Sequence, residues 1–212
     1  MAPDFVIVIG DRHEALGAAL GAAYTGQCLV HFQGGESSGT IDESARHAIT
    51  QLAHYHVPAT QRAKARLVQM CQRESTILTV GCPSSDLARS VMPEDRDEIL
   101  VVYHPSGNLH EVEQILQARA DLEGGLRWRW LWPNIDAGAN EIHKLLRRFK
   151  AEWGDGWIDF ETNMAPRDYL KTLASVRCAV GNSSSFVRDS SFFGTPVVLV
   201  GERQMGREHA AN

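Results

Sequence analysis

Cys178-Ala179-Val180-Gly181-Asn182-Ser183-Ser184-Ser185 is the stretch on which the fold reading rests. A short apolar run reaches a glycine, and small polar side chains then open a helix expected to continue to Phe193. A strand that feeds directly into a helix in this way is half of a parallel β-α-β unit. Working outward, the same grammar recurs about nine times along the chain, as apolar runs ending in Gly or Pro alternate with amphipathic stretches. In the first half, strands are expected at Phe5 to Ile9, Cys28 to Phe32, His56 to Ala59 and Ile77 to Val80, forming one parallel sheet. The second half offers Ile99 to Tyr103, Leu126 to Trp132, Trp157 to Phe160, Cys178 to Val180 and Val197 to Val200 for a second sheet. Pro83 to Asp97, rich in Pro, Ser, Asp and Glu, reads as the connection between them. A boundary near Pro93 divides the chain into domains 1–92 and 93–212, and the fold class is α/β.

The 212 residues, 43% of them hydrophobic, suffice for one large core or for two of roughly 100 residues each. A net charge of -5 without a long basic run argues against a nucleic-acid or anionic-membrane partner, which would need clustered Lys and Arg. The expected partner is a small molecule or a second copy of the chain. Residues 1–10 carry no basic segment ahead of their short apolar run, and no stretch approaches the ~20 apolar residues of a membrane span, so the chain reads as cytoplasmic. Cys28, Cys71, Cys82 and Cys178 show no metal-ligand spacing and read as buried thiols; neither metal nor cofactor is expected. Arg127-Trp128-Arg129-Trp130-Leu131-Trp132 fits an amphipathic strand, and an aromatic platform for bases is the other reading of its alternation.

In open parallel sheets, ligands bind beyond the carboxyl ends of the strands. Asp11 follows the first strand after Gly10; it is a candidate acid or base, or the cap of the helix beginning near His13. Glu36 follows Gly34-Gly35 after the second strand, placing another carboxylate on the same rim. Two carboxylates tuned apart are what proton removal and delivery require. Thr40-Ile41-Asp42-Glu43 reads as a capping box, Thr40 bonding forward and Glu43 back. The helix it opens is expected to bury Ile41, Ala45, Ala48, Ile49 and Leu52. Asp42 and Arg46 are i,i+4 neighbours suited to a surface ion pair, and His47 beside them could reach a ligand together with Arg46. His54 and His56 read as structural. His104 sits at the carboxyl end of the first strand of the second half. Ser183 and Ser184, at a helix start, suit a diphosphate held without metal. Arg188 and Asp189 one turn later could meet the phosphate and a ribose diol, and residues 201–208 form a charged loop after the last strand.

These residues resemble the hydrolysing UDP-N-acetylglucosamine 2-epimerases, including the epimerase half of the animal bifunctional sialic-acid enzyme. The landmarks, in order, are GDR at Gly10 to Arg12, GGESSGTIDESARHAITQLAHYHV from Gly34 to Val57, and GCPSSD from Gly81 to Asp86. HP at His104, PNIDAG from Pro133 to Gly138, GNSSS from Gly181 to Ser185, FGTPVV from Phe193 to Val198 and RQMGRE from Arg203 to Glu208 complete them. The resemblance implies two Rossmann-like domains in the GT-B arrangement with the nucleotide between them. It implies cleavage of UDP-N-acetylglucosamine to UDP and N-acetylmannosamine with inversion at C2, toward sialic acid, by a homodimer or tetramer. By motif, Asp11, Glu36 and His104 would share proton transfers and sugar contacts. Asp42, Arg46 and His47 would line the same pocket, Ser183 and Ser184 would hold the diphosphate, and Asp189 and Arg203 would help bind the nucleotide. The family usually carries glycine at the position of Phe186 and glutamate at that of Asp189, and either change is expected to weaken UDP binding. It also has a leading β-α-β stretch and later helices beyond position 212, so an incomplete first domain with an exposed sheet flank is expected. Two other readings are an inactive homologue that at most binds UDP-sugar, and a glycosyltransferase of the same architecture. Asp11→Asn and Glu36→Gln are expected to abolish turnover with little loss of stability.

Overall fold

The first two apolar runs, Phe5–Ile9 (β1) and Cys28–Phe32 (β2), pair in parallel, with Val6 opposite Leu29 and Val8 opposite His31. In the computed structural model the described residues are 3–95, 97–122, 125–133, 136–154, 156 and 158–209. They divide into two compact units, 3–83 with 205–207, and 84–204 with 208–209.

In the first unit, Tyr55–Val57 (β3) adds to β2, giving the order β1-β2-β3. β3 stops at Val57 because Pro58 has no N–H to donate to a ladder. Helices His13–Tyr24 (α1) and Ile41–Leu52 (α2) cover one sheet face, enclosing Val8, Ala19, Ala22, Leu29 and Ile49. Gln61–Gln69 (α3) follows β3, with Thr60 capping it by accepting the Ala63 N–H. The fourth strand expected at Ile77 to Val80 is reduced to one parallel bridge between His56 and Ile77. Of that run only Ile77 is buried, while Leu78 and Val80 face solvent, so little apolar burial supports a longer ladder. The exposed apolar flank expected of this sheet is present: Phe5, Ile7 and Ile9 are 59%, 61% and 57% exposed.

The second unit holds Glu98–Val102 (β4), Arg127–Leu131 (β5), Asp159–Glu161 (β6), Cys178–Gly181 (β7) and Val197–Leu199 (β8). All pairs are parallel, in the order β6-β5-β4-β7-β8. Trp157, expected to begin the third of these strands, lies outside the described residues. Ser84–Ala88 (α4) belongs to this unit, since Ala88 and Val91 pack with Leu170 of Pro166–Ser175 (α7). That packing draws the unit boundary to Pro83 and not to Pro93. Leu109–Asp121 (α5) and Ala139–Trp153 (α6) cover Trp128 and Trp130, both buried, so the tryptophan alternation builds core and no base-stacking surface. On its other face Arg129 pairs with Glu98 and Glu161. All four cysteines are free, and none is fully buried as expected: Cys28, Cys82 and Cys178 are half-buried, and Cys71 is exposed in the turn after α3, with φ of 64°.

The helix expected to run unbroken to Phe193 forms two short pieces, Ser185–Arg188 (α8) and Ser190–Phe193 (α9). Ser190 Oγ donates to Phe186 O at 2.6 Å, a side-chain bond to the carbonyl four residues back that competes with the helical backbone bond. The ring of Phe186 is buried among Leu100, Val102, Leu131 and Leu173, so it fills core. Among the described residues, no helix is long and apolar enough to cross a membrane.

Gly181 closes β7 at φ 143°, and a Cβ there would lie 2.1 Å from Val102 O. Gly181→Ala is therefore expected to cost at least about 2 kcal/mol, since strained backbone and a main-chain clash add. A shift in the urea unfolding midpoint reads it, and a midpoint equal to wild type would show that β4 and β7 can part at this point.

Candidate active site

The strand ends of the first unit gather its charged groups. Gly10, at φ 80°, turns the chain off β1, and its N–H donates to Phe32 O at 3.1 Å. Asp11 follows on the rim. Arg46, one turn before Thr50 on α2, reaches inward to it: Nη2 pairs with Asp11 Oδ2, Nη1 donates to Glu36 O at 2.7 Å, and Nη2 also donates to Ser38 Oγ at 3.2 Å. The Arg46 side chain is 1% exposed and that of Asp11 19%. The surface ion pair expected between Asp42 and Arg46 does not form, because burial draws the guanidinium to the carboxylate and carbonyl beneath it. The buried stripe of α2 turns with it: Arg46, Ile49 and Thr50 are inside, Ile41 is 82% exposed and Ala48 is also outside. Asp11 thus pairs with Arg46, and the cap position of α1 is Arg12, which makes no side-chain cap bond.

Glu36 pairs through Oε2 with Nη1 of Arg207, from the closing loop. Asp42 and His47 are half-buried on α2. The expected reciprocal capping box between Thr40 and Glu43 does not form. Thr40 is the N-cap but bonds no helix N–H, its hydroxyl lying 3.3 Å from that of Ser38. Glu43 does reach back, accepting from the Ser38 and Gly39 N–H groups and from Ser37 Oγ. Burial pushes the Glu43 carboxyl up, but these donors outweigh it and hold the group down at about 2.

His31 was not anticipated. It lies fully buried on β2, with Nε2 2.9 Å from Gly10 O and Nδ1 3.2 Å from Thr50 Oγ1. Burial lowers it to about 4; His56 and Arg46 push the same way, while the Gly10 carbonyl and Asp11 push up. His54 accepts the Leu29 N–H, and His56 bonds Gln72 Oε1 at 3.0 Å.

In the second unit the strand order reverses between β4 and β7, the point at which open α/β sheets form a crevice. Asn182, buried after β7, clamps the chain after β4 in both directions. His104 N donates to Asn182 Oδ1 at 2.7 Å, and Asn182 Nδ2 donates to His104 O at 2.8 Å. Asn182 O accepts from Arg203 Nη1 at 3.2 Å and Gln204 Nε2 at 2.8 Å, so one residue ties the closing loop and the chain after β4 together. Ser183 is buried, its hydroxyl 2.9 Å from that of Ser185, which also bonds Tyr169; Ser184 is more open. Asp189 accepts from Ser84 Oγ at 2.6 Å. Burial pushes its carboxyl up, against the pull of Ser84 and Arg188. The fold accordingly brings together Asp11, Glu36 and Arg46 in one unit and His104, Ser183 and Arg203 in the other, with Asp189 turned toward α4. Asn134 and Ile135 of the PNIDAG motif lie outside the described residues.

The family profile described as UDP-N-acetylglucosamine 2-epimerase matches residues 1–212. The chain belongs to that family. It is 34% identical over 228 residues to the hydrolyzing UDP-N,N'-diacetylbacillosamine 2-epimerase of Legionella pneumophila, covering 99% of this chain and 59% of that one. It is 32% identical over 220 residues to the UDP-N-acetylglucosamine 2-epimerase of Neisseria meningitidis, covering 97% and 57%. Among solved structures, the Methanocaldococcus jannaschii UDP-GlcNAc 2-epimerase, in complex with UDP-GlcNAc and UDP, matches with a TM-score of 0.70 at 17% identity, covering 95% of this chain and 62% of that one. These likenesses show the fold, that of the GT-B-type epimerases, and this family member spans 57–62% of the length of the three relatives.

Two residues of the family member escaped the sequence reading, His31 and Arg207. A histidine inside an apolar strand run is a signal for the first; for Arg207, one charge among several in residues 201–208, only the fold singles out the partner. Glu43 yields a pH test. Its folded value lies below the usual 4.5, so its contribution to stability is full above pH 4.5 and is lost as pH falls toward about 2. Urea titrations of wild type and Glu43→Gln should show the wild type losing more stability between those values. Parallel curves would mean that the Ser38 and Gly39 N–H groups do not hold this carboxylate.

Proposed function

We propose that this chain carries the chemistry of a hydrolysing UDP-N-acetylglucosamine 2-epimerase, releasing UDP and N-acetylmannosamine with inversion at C2. The observation that carries the reading is a pair of carboxylates at the strand ends of the first unit, Asp11 and Glu36, each paired with an arginine that is nearly or wholly buried. Family membership and the hydrolyzing name of the Legionella relative support the reaction class. The C2 proton of the sugar is only weakly acidic, so its removal is coupled to breaking the C1–O bond, with UDP carrying away the electron pair. The resulting glycal then takes a proton at C2 on the opposite face and hydroxide from water at C1. One group must accept the first proton and another deliver the second. Asp11, Glu36 and His104 are assigned these transfers and the sugar contacts, and Asp42, Arg46 and His47 are assigned supporting contacts. Arg46, donating to Asp11 and to the Glu36 carbonyl, orients both rim residues. Ser183 and Ser184 are assigned the diphosphate, and Asp189 and Arg203 the nucleoside. With Phe186 buried in the core, its ring does not occupy the turn assigned to the diphosphate. The reading includes a cytoplasmic homodimer or tetramer working toward sialic acid.

A second substrate follows from the 34% identical relative, whose name gives UDP-N,N'-diacetylbacillosamine, a sugar with two acetamido groups. The same proton transfers would serve it. Incubating the chain with each sugar nucleotide and assaying UDP and free sugar decides between them; an acceptor requirement would point to a glycosyltransferase, and UDP binding without turnover to an inactive homologue.

Asp11→Asn and Glu36→Gln are each expected to lower turnover by on the order of 10²-fold or more. Burial of Arg46 revises the stability expectation for the first. Asn removes the counter-charge of a guanidinium inside the protein, so Asp11→Asn should also cost about 1–3 kcal/mol in urea unfolding. Full turnover in both variants would sink the assignment.

A further inference from the structure

We propose that His31 is a positioning residue, holding the Gly10 carbonyl so that the Asp11 carboxylate stays seated on Arg46. The inference rests on the reading that Asp11 transfers a proton. The geometry makes α2 grip the Gly10-Asp11 turn at two points. Arg46 takes the carboxylate of Asp11, and Thr50, four residues later on the same face, bonds His31, which bonds the carbonyl of Gly10. Because Gly10 O can only accept, Nε2 of His31 carries the proton; Nδ1 is then the acceptor, and the Thr50 hydroxyl donates to it. That fixes one neutral tautomer. Burial opposes charge on the ring, and of the charged or titratable groups around it His56 and Arg46 disfavour the cation while Asp11 favours it; the balance leaves the ring neutral at pH 7. Gly34 leaves the room this needs, since a Cβ there would lie 3.0 Å from His31 Nδ1 and 3.1 Å from Thr50 Oγ1. With φ of 80°, Gly10 permits other turns, so its carbonyl must be held if Asp11 is to point one way.

The test uses the full chain with His31→Phe, which keeps a buried ring without the donor, and His31→Gln, whose amide can still donate to Gly10 O. Thr50→Val replaces His31→Phe should the latter not fold. With UDP-GlcNAc, His31→Phe is expected to lower kcat on the order of tenfold or more, as a reacting group displaced by about 1 Å does. KM should stay within about twofold, because uniform binding is untouched, and His31→Gln should recover most of kcat. Equal kcat in all three proteins would overturn the proposal. A second readout needs no turnover: NMR exchange of the Arg46 guanidinium protons, whose burial and pairing with Asp11 are expected to protect them in the wild type. Protection lost in His31→Phe and kept in His31→Gln supports the proposal, and protection unchanged in His31→Phe overturns it. A wild type with protected Arg46 protons and no UDP release on either sugar nucleotide would instead remove the proposed function.

Discussion

A guanidinium placed in the interior has to find its counter-charge and acceptors there, because an uncompensated buried charge costs several kcal/mol. Arg46 is that group in the first unit. Its partners are a carboxylate from the end of β1 and a carbonyl and a hydroxyl from the loop after β2. Nε finds no hydrogen-bond partner among the described residues, so the two terminal nitrogens carry all of the described compensation. The loop from Gly34 to Thr40 is shaped around this demand. Glu36 turns its carbonyl to Arg46 and its carboxylate to Arg207, while Glu43 gathers the N–H groups of Ser38 and Gly39. One face of α2, through Arg46 and Thr50, therefore touches both strand ends on which the proposed acid-base groups stand.

The second unit solves a different problem with neutral groups. Its sheet reverses order between β4 and β7, and a crevice at such a point needs two strand ends held at a set distance. Asn182 supplies this by pairing its side-chain amide with the backbone of His104, while its carbonyl collects Arg203 and Gln204. The absence of a side chain at Gly181 lets β7 come close enough to Val102 for the clamp to close. The backbone of His104 is thus held at both its N–H and its carbonyl.

Strand and helix placement was legible in the sequence because it rests on local chemistry. Apolar runs with Gly or Pro at their ends form parallel strands wherever helices can cover them, and eight of the nine expected strands formed at or near the expected residues. Ile77 to Val80 failed because burial, not run length, sustains a strand. The long-range partnerships were not legible. Asp11 and Arg46 are separated by 35 residues, Ser84 and Asp189 by 105, and Glu36 and Arg207 by 171. On the helix alone, Asp42 is as good a partner for Arg46 as any acid; what selects Asp11 is that α2 turns Arg46 inward, which depends on how the whole helix packs on the sheet. The sequence by itself determined the α/β class, the rims and the family motifs. The tertiary structure alone decided which carboxylate meets which arginine, that Asp189 is engaged by Ser84, and that His31 is bonded to the Gly10 carbonyl and Arg207 to Glu36, because side-chain pairing is set by burial and burial is a property of the packed chain.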